Sequence, residues 1–118
     1  MILVDTSVWI DHFRKSNENL QSLLMNGEVA CHQLVIGELV CGNFKNRKEI
    51  IDLLQALPTA PQVDFDEYLY FVEKNGLFGR GIGYVDIHLL ASAKISEFKL
   101  WTLDKRLQNQ AISFGIDF

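Results

Sequence analysis

The 118-residue chain is 48% hydrophobic and 22% charged, and its 15 acidic and 11 basic side chains give a net charge of −4. These values fit one folded domain with a single core, argue against intrinsic disorder, and lack the basic excess typical of nucleic-acid-binding proteins. No apolar run reaches the roughly 20 residues of a membrane span, so we expect a cytoplasmic protein. Cys31 and Cys41 lack the spacing of a metal site or a disulfide framework, so we expect both to be reduced thiols that serve as packing residues.

The first stretch predicts a buried strand that ends in a carboxylate. Residues 2–4 (Ile-Leu-Val) run directly into Asp5, and Thr6 and Ser7 follow before a helical pattern begins. A short continuous apolar run is typical of a strand buried on both faces in a parallel sheet, and either hydroxyl could cap the next helix. Asp5 would then lie at the sheet edge where open α/β folds form ligand sites.

Two helices are predicted next, one over residues 7–13 and one that is capped by Ser16 or Asn17 and ends at Gly27. A short strand over 29–32 separates them from a helix over 34–42 that is apolar nearly all round, with Glu38 as its only charge. That acid is either a solvent-facing residue or one that points into a crevice. In a crevice, a lone charge is costly unless a cation meets it.

Asn46 and Glu49 have the spacing of a capping box and predict a helix that ends before Pro58. The basic residues beside this cap are interpreted as a solvated helix face, with contact to RNA as the alternative. Val63 is predicted to open a short edge strand.

Asp64 or Asp66 is predicted to cap the following helix. Its aromatic and apolar residues recur at helical spacing: Phe65, Tyr68, Leu69 and Val72. We interpret this stripe as core rather than as a surface that stacks on bases.

The glycine-rich segment 76–83 lacks the Lys-Ser/Thr of a phosphate-binding P-loop and follows a helix rather than a strand, so neither nucleotide-binding fingerprint fits. We interpret it as a mobile loop. Arg80, at its tip, is a candidate contact for a substrate phosphate, and an exposed arginine without that role is the alternative.

The helix predicted over 84–96 places Asp86 on its first turn, where the helix dipole favours a carboxylate. Asp86 also begins an apolar stripe at helical spacing, so it is either a cap or a site residue turned inward. His88 lies on another face and is interpreted as structural. A strand over 99–103 then leads to Asp104 and a further helix, and residues 112–116 alternate as a final edge strand would.

Four acids stand against apolar sequence rather than in polar helices or turns: Asp5, Glu38, Asp86 and Asp104. Converging carboxylates repel one another unless cations lie between them, and such hard oxygen ligands suit Mg²⁺ or Mn²⁺. Metal sites of this kind activate water for phosphoryl chemistry. Thr6 and Thr102 could fix the carboxylate rotamers by hydrogen bonds.

The net charge does not exclude an RNA substrate. If four of the 15 acidic residues occupy a metal site, the remaining 11 balance the 11 lysines and arginines, and bound cations reverse the local field.

A family resemblance lies in four segments: 2–7 (Ile-Leu-Val-Asp-Thr-Ser), 35–39 (Val-Ile-Gly-Glu-Leu), 83–91 (Gly-Tyr-Val-Asp-Ile-His-Leu-Leu-Ala) and 100–107 (Leu-Trp-Thr-Leu-Asp-Lys-Arg-Leu). In order and context these segments resemble PIN-domain ribonucleases, in particular the VapC toxins of bacterial toxin–antitoxin pairs. The resemblance covers essentially the whole chain, residues 1–118, as a single PIN-like nuclease domain.

The resemblance implies a three-layer α/β/α sandwich with a central, mainly parallel sheet. It further implies an endoribonuclease that depends on Mg²⁺ or Mn²⁺, acts on a structured RNA such as tRNA, forms a homodimer and is inhibited by a cognate antitoxin. Asp5, Glu38 and Asp86 match the metal-binding acids, and Asp104 matches the fourth acid, whose role varies within the family. Thr6 and Thr102 match hydroxyls found beside such sites, whereas Arg80 is not part of the motif.

There are two alternatives to the nuclease: a receiver domain and a module without catalysis. A phosphorelay receiver domain shares the length, the fold class and an acidic Mg²⁺ site, but it needs adjacent acids after the first strand, and here Thr6 follows Asp5. The other alternative is a metal-binding α/β regulatory or RNA-binding module without catalysis. Metal-dependent stabilisation that Asp86→Asn removes would favour the nuclease, and a metal-independent melt would favour the module.

Overall fold

The computed structural model describes residues 1–118 and has three strands and seven helices. The strands are β1 (Ile2–Val4), β2 (Val29–Ala30) and β3 (Lys99–Trp101). The helices are α1 (Thr6–Lys15), α2 (Glu18–Met25), α3 (Gln33–Val40), α4 (Arg47–Ala56), α5 (Phe65–Asn75), α6 (Tyr84–Ser96) and α7 (Lys105–Ser113). None of these helices has the length and apolar character that crossing a membrane requires.

The strands form a parallel sheet with β1 in the middle, in the order β2-β1-β3. Leu3 pairs with Ala30 on one side and with Leu100 on the other, and all three residues are fully buried. The predicted central strand is therefore confirmed. In this register the backbone N–H of Asp5 donates to the Trp101 carbonyl at 2.9 Å, so the residues that follow β1 and β3 meet at one edge of the sheet.

Helix α6 is buried over seven consecutive residues, 87–93, because its sequence is apolar or small on nearly every face. It packs against β3, α5 and α7, and it has the bounds that the sequence predicts. Buried side chains of α1, α2, α3 and α7 belong to the same core of 18 residues. This packing holds the first turn of α6, which carries Asp86, in a fixed place relative to the sheet.

The edge strand predicted at Val63 is wrong, although the residue itself is buried. The chain instead extends the sheet earlier, at Thr59, which forms a single parallel bridge with Cys31. Cys31 is a buried free thiol, as expected of a packing residue, whereas Cys41 is a free thiol exposed at the surface. The packing interpretation therefore fails for Cys41.

The final edge strand predicted over 112–116 is also wrong. Helix α7 continues to Ser113, and the chain then turns at Gly115, whose φ of 69° is in the left-handed region. Only after this turn does Asp117 form a parallel bridge with Leu100. Alternation over five residues is compatible with the end of a helix as well as with a strand.

The capping box predicted for α4 does not form. Asn46 has a left-handed backbone, with φ of 59°, and its side chain makes no cap bond. The first residue of the helix, Arg47, donates instead to the carbonyls of Gly42 at 3.0 Å and Val40 at 2.5 Å. This basic side chain therefore satisfies free carbonyls at the end of α3 rather than lying only in solvent.

The aromatic stripe of α5 is not core. Asp64 caps this helix as predicted, in a capping box with Glu67, but no residue of α5 is buried. Phe65 is 63% exposed and Leu69 is 46% exposed. Only part of the stripe contacts the rest of the protein, through the Tyr68 ring, which stacks on His88 of α6.

Candidate active site

Asp5 lies at the carboxyl end of β1 and is only 5% exposed. Its Oδ2 accepts hydrogen bonds from the hydroxyls of Ser7 and Thr102, both at 2.7 Å. The residue occupies the N-cap position of α1 but makes no side-chain cap bond. Neither Thr6 nor Ser7 caps α1 in its place, so that prediction is wrong. The two hydroxyls fix the rotamer of the carboxylate and leave its Oδ1 available to a ligand.

The same hydroxyls connect Asp5 to the turn after β3. Thr102 Oγ1 accepts from the backbone N–H of Asp104, and Ser7 Oγ accepts from that of Leu103, each at 3.0 Å. Asp104 itself caps α7, because its Oδ1 accepts from the Leu107 N–H at 3.0 Å. This network brings the ends of β1 and β3 together, as the sequence predicts for two parallel strands that lead into acids.

Glu38 approaches this edge from α3. Its Oε1 accepts from the Thr6 hydroxyl at 2.6 Å, and the side chain is exposed. Neither sequence interpretation describes it fully, since Glu38 is solvent-accessible and yet tied to the first residue of α1. The Thr6 hydroxyl therefore orients Glu38, as the Thr102 hydroxyl orients Asp5.

Asp86 completes the group from the first turn of α6. Its Oδ2 accepts a long hydrogen bond, 3.4 Å, from the Gly83 N–H. Burial raises the pKa of the Asp86 carboxyl above its ordinary value, and the Gly83 N–H lowers it. The negative charges of Asp5, Asp104 and Glu38 raise this pKa further. Their effect on Asp86 shows that the four carboxylates share one electrostatic environment.

No three of the His, Cys, Asp and Glu side chains are arranged closely enough to hold a metal ion. Each of the four acids is instead turned towards a nearby hydroxyl or backbone N–H, as expected of like charges that repel one another. Their chemistry nevertheless fits a hard divalent cation: all four offer carboxylate oxygens, and none is paired with a lysine or arginine, since the one salt bridge joins Lys15 to Asp11.

Ser7 belongs to the site, whereas the sequence predicts for it only the role of a helix cap. The available signal was its position two residues after Asp5, which places a hydroxyl within reach of that carboxylate.

Two other residues lie apart from the network. The Arg80 guanidinium folds back towards Gly76 at the end of α5. The His88 ring is buried and stacks on Tyr68, with centroids 4.7 Å apart and planes inclined by 5°.

A groove of about 530 Å³ lies away from the acids, between α1, α2 and α4. It is lined mainly by apolar residues: Trp9, His12, Phe13, Leu24, Ile50, Leu53, Leu54, Ala56 and Leu57.

Comparison with known proteins identifies the family. Residues 2–112 match the PIN domain. The chain is 47% identical to Ribonuclease VapC32 of Mycobacterium tuberculosis, in strains CDC 1551 / Oshkosh and H37Rv, over 98% of this chain and 94% of that protein. This chain belongs to the PIN-domain family. The resemblance to VapC-type PIN ribonucleases seen in the sequence is thus confirmed.

The PIN fold is confirmed by a solved structure as well. The crystal structure of PAE2754 from Pyrobaculum aerophilum superposes with a TM-score of 0.62, covering 97% of this chain and 94% of that one. At 15% identity this likeness concerns the fold alone. Together with the parallel sheet and seven helices, it supports the predicted α/β/α sandwich.

Proposed function

We propose that this chain is the toxin of a type II toxin–antitoxin pair, an endoribonuclease that hydrolyses phosphodiester bonds of a structured RNA, such as tRNA, with Mg²⁺ or Mn²⁺. Membership of the PIN-domain family and the close relation to a VapC ribonuclease support the ribonuclease class. The same relation supports a cognate antitoxin as partner. A homodimer that acts in the cytoplasm is part of the proposal.

The observation that carries the proposal is the setting of Asp5. A buried carboxylate, fixed by two hydroxyls, lies at the end of the central strand, and its charge acts on Asp86 together with the charges of Asp104 and Glu38. Like charges held this close together are costly unless a cation lies among them. Carboxylate oxygens are the ligands that a hard divalent cation prefers, so the chemistry of this cluster supports a cation-dependent site.

Four residues would hold the metal: Asp5, Glu38, Asp86 and Asp104. When bound, the ion supplies an activated water and stabilises charge on the leaving oxygen. Thr102 and Ser7 keep Asp5 in one rotamer, and Thr6 does the same for Glu38. Asp86, with its long bond to Gly83, is free to turn towards the cation. Arg80, on the loop before α6, is proposed as a contact for the RNA.

The test is cleavage of total RNA and of isolated tRNA by the purified chain without antitoxin, in Mg²⁺, in Mn²⁺ and in chelator. Asp5→Asn keeps the size of the side chain and removes its charge. Asp52→Asn is the matched control, because Asp52 is exposed on α4 and makes no side-chain hydrogen bond or ion pair. We expect metal-dependent cuts from the wild type and the control, and none from Asp5→Asn.

Equal cleavage by Asp5→Asn, or cleavage that persists in chelator, would contradict the proposal. Absence of cleavage together with Mn²⁺-independent melting would favour a binding module without catalysis.

A further inference from the structure

Arg106 lies across a glycine of the loop that precedes α6. The residue is on the first turn of α7, and its Nη1 donates to the Gly81 carbonyl at 3.4 Å. A Cβ at Gly81 would lie 2.8 Å from Nη1 and 3.3 Å from Cζ. Gly81 also has a φ of 74°, which side chains rarely adopt. A side chain at this position would therefore displace the guanidinium from where it lies.

This contact joins the two helix starts that carry acids of the site. Arg106 follows Asp104 by two residues, and Gly81 precedes Gly83, the donor to Asp86, by two residues. The guanidinium is therefore located at the rim of the acidic edge, between the first turns of α6 and α7.

Arg106 is also a cation without an anionic partner. Although acids lie on both sides of it, no carboxylate is within salt-bridge distance, since the single ion pair of the protein is in α1. Its side chain is exposed, and its one hydrogen bond occupies Nη1. The remaining N–H groups of the planar guanidinium are free, and this geometry matches a phosphate through two parallel hydrogen bonds.

An acidic site needs such a group, because four carboxylates repel the phosphates that flank the bond to be cleaved. We propose that Arg106 binds a backbone phosphate of the RNA substrate and positions that strand at the acidic edge. This inference rests on the proposed ribonuclease function. Arg106 would position the substrate, and its contact with Gly81 would hold the guanidinium in place.

The main experiment measures binding of fluorescently labelled total tRNA in Mg²⁺, on an Asp5→Asn background that prevents cleavage, over a series of salt concentrations. Arg106→Gln removes one cation from the rim. Lys94→Gln removes one from the other end of α6, where Lys94 is exposed in the last turn. Both variants therefore have the same net charge.

We expect Arg106→Gln to weaken binding by about tenfold, the loss of a charge-assisted hydrogen bond. The slope of log affinity against log salt should fall by about 0.7–0.9, which corresponds to one phosphate contact. Lys94→Gln should leave both quantities unchanged, and Arg106→Lys should keep the slope while recovering part of the affinity. In the cleavage assay, Arg106→Gln should raise KM more than it lowers kcat.

A second pair of variants tests the geometry without changing charge. Gly81→Ala places a methyl group against the guanidinium, whereas Gly79→Ala has a similar φ, 70°, with no heavy atom within 4 Å of the added Cβ. Both bear the same backbone strain in the same loop. We expect Gly81→Ala to weaken tRNA binding and Gly79→Ala to have little effect.

An Arg106→Gln variant with unchanged tRNA affinity and an unchanged salt dependence of binding would overturn the inference. Slower cleavage with an unchanged salt dependence of binding would overturn it as well, because Arg106 would then only stabilise the loop that contains Gly81. These results leave the proposed function intact as long as the chain with native Asp5 still cleaves RNA in a metal-dependent manner. A wild type that neither binds nor cleaves RNA overturns both.

Discussion

The buried histidine at the start of α3 makes stability depend on pH. His32 is fully buried, and its Nδ1 accepts from the Leu34 N–H at 3.0 Å. Since Nδ1 is an acceptor, the neutral ring carries its proton on Nε2, which lies 3.1 Å from the Ser92 hydroxyl. Burial, together with the charge that His88 acquires in acid, lowers the pKa of His32 from 6.5 to about 4. Protonation would also force a proton against the Leu34 N–H.

The sign and size of the effect follow from this difference in pKa. Below pH 6.5 the unfolded chain binds a proton at His32 and the native chain does not, so stability is complete above 6.5 and falls as the pH approaches 4. Between pH 7.5 and pH 5 the loss from this residue is about 2 kcal/mol. Other groups titrate in the same range, so the wild type must be compared with a variant.

His32→Asn supplies that comparison, because asparagine can cap α3 through its amide oxygen but does not titrate. Urea unfolding at pH 7.5 and at pH 5 gives the free energy of unfolding of both proteins. The wild type is expected to lose about 2 kcal/mol more than His32→Asn between these two pH values. Equal losses would refute the assignment of a neutral, buried His32.

Two further predictions concern the acidic edge. Thr102→Val removes the hydroxyl that fixes Asp5 while keeping the shape of the side chain, and the Mn²⁺ concentration that gives half-maximal cleavage should rise by about 10- to 100-fold. A valine variant with unchanged metal dependence would mean that Asp5 does not need this hydroxyl. Asp86→Asn removes a carboxylate whose pKa is raised by burial and by three neighbouring charges, so the melting temperature without metal should rise and Mn²⁺ should stabilise the variant less than the wild type. A variant that is less stable without metal and stabilised as strongly by Mn²⁺ would contradict this.

The placement of Asp5 and Asp104 could be predicted because it depends on a short-range pattern and a general rule. An apolar run that ends in an acid indicates a strand and its end, and parallel strands bring their ends to one edge. The helix over 84–96 could be predicted for a similar reason, since its apolar residues recur at helical spacing along more than three turns. In each of these cases local sequence and tertiary packing favour the same structure.

The failed predictions concern positions where several structures satisfy the same local pattern. Phe65 and Leu69 have helical spacing, but the sequence does not reveal that α6, which is buried over residues 87–93, leaves α5 as an outer layer. The strand predicted over 112–116 is wrong because five alternating residues fit the period of a helix as well as that of a strand. Asn46 has the composition of a cap, but its left-handed backbone excludes that role.

The hydroxyl residues show why the sequence predicts the positions of the acids better than the hydrogen bonds between the side chains of the site. Ser7 and Thr6 are residue types that often cap helices. A hydroxyl donates to whichever strong acceptor is near, however, and here the acceptors are the carboxylates of Asp5 and Glu38. That choice divides the site into two parts. Asp5 is buried and held by one hydroxyl from α1 and one from the residue after β3, so it is already oriented before any cation binds. Glu38 is exposed and Asp86 is held by a bond of only 3.4 Å, so these two carboxylates are the ones that must move. Metal affinity should therefore depend on the rigidity around Asp5 and on the freedom of the other two, and substitutions that stiffen α3 or the first turn of α6 should weaken it.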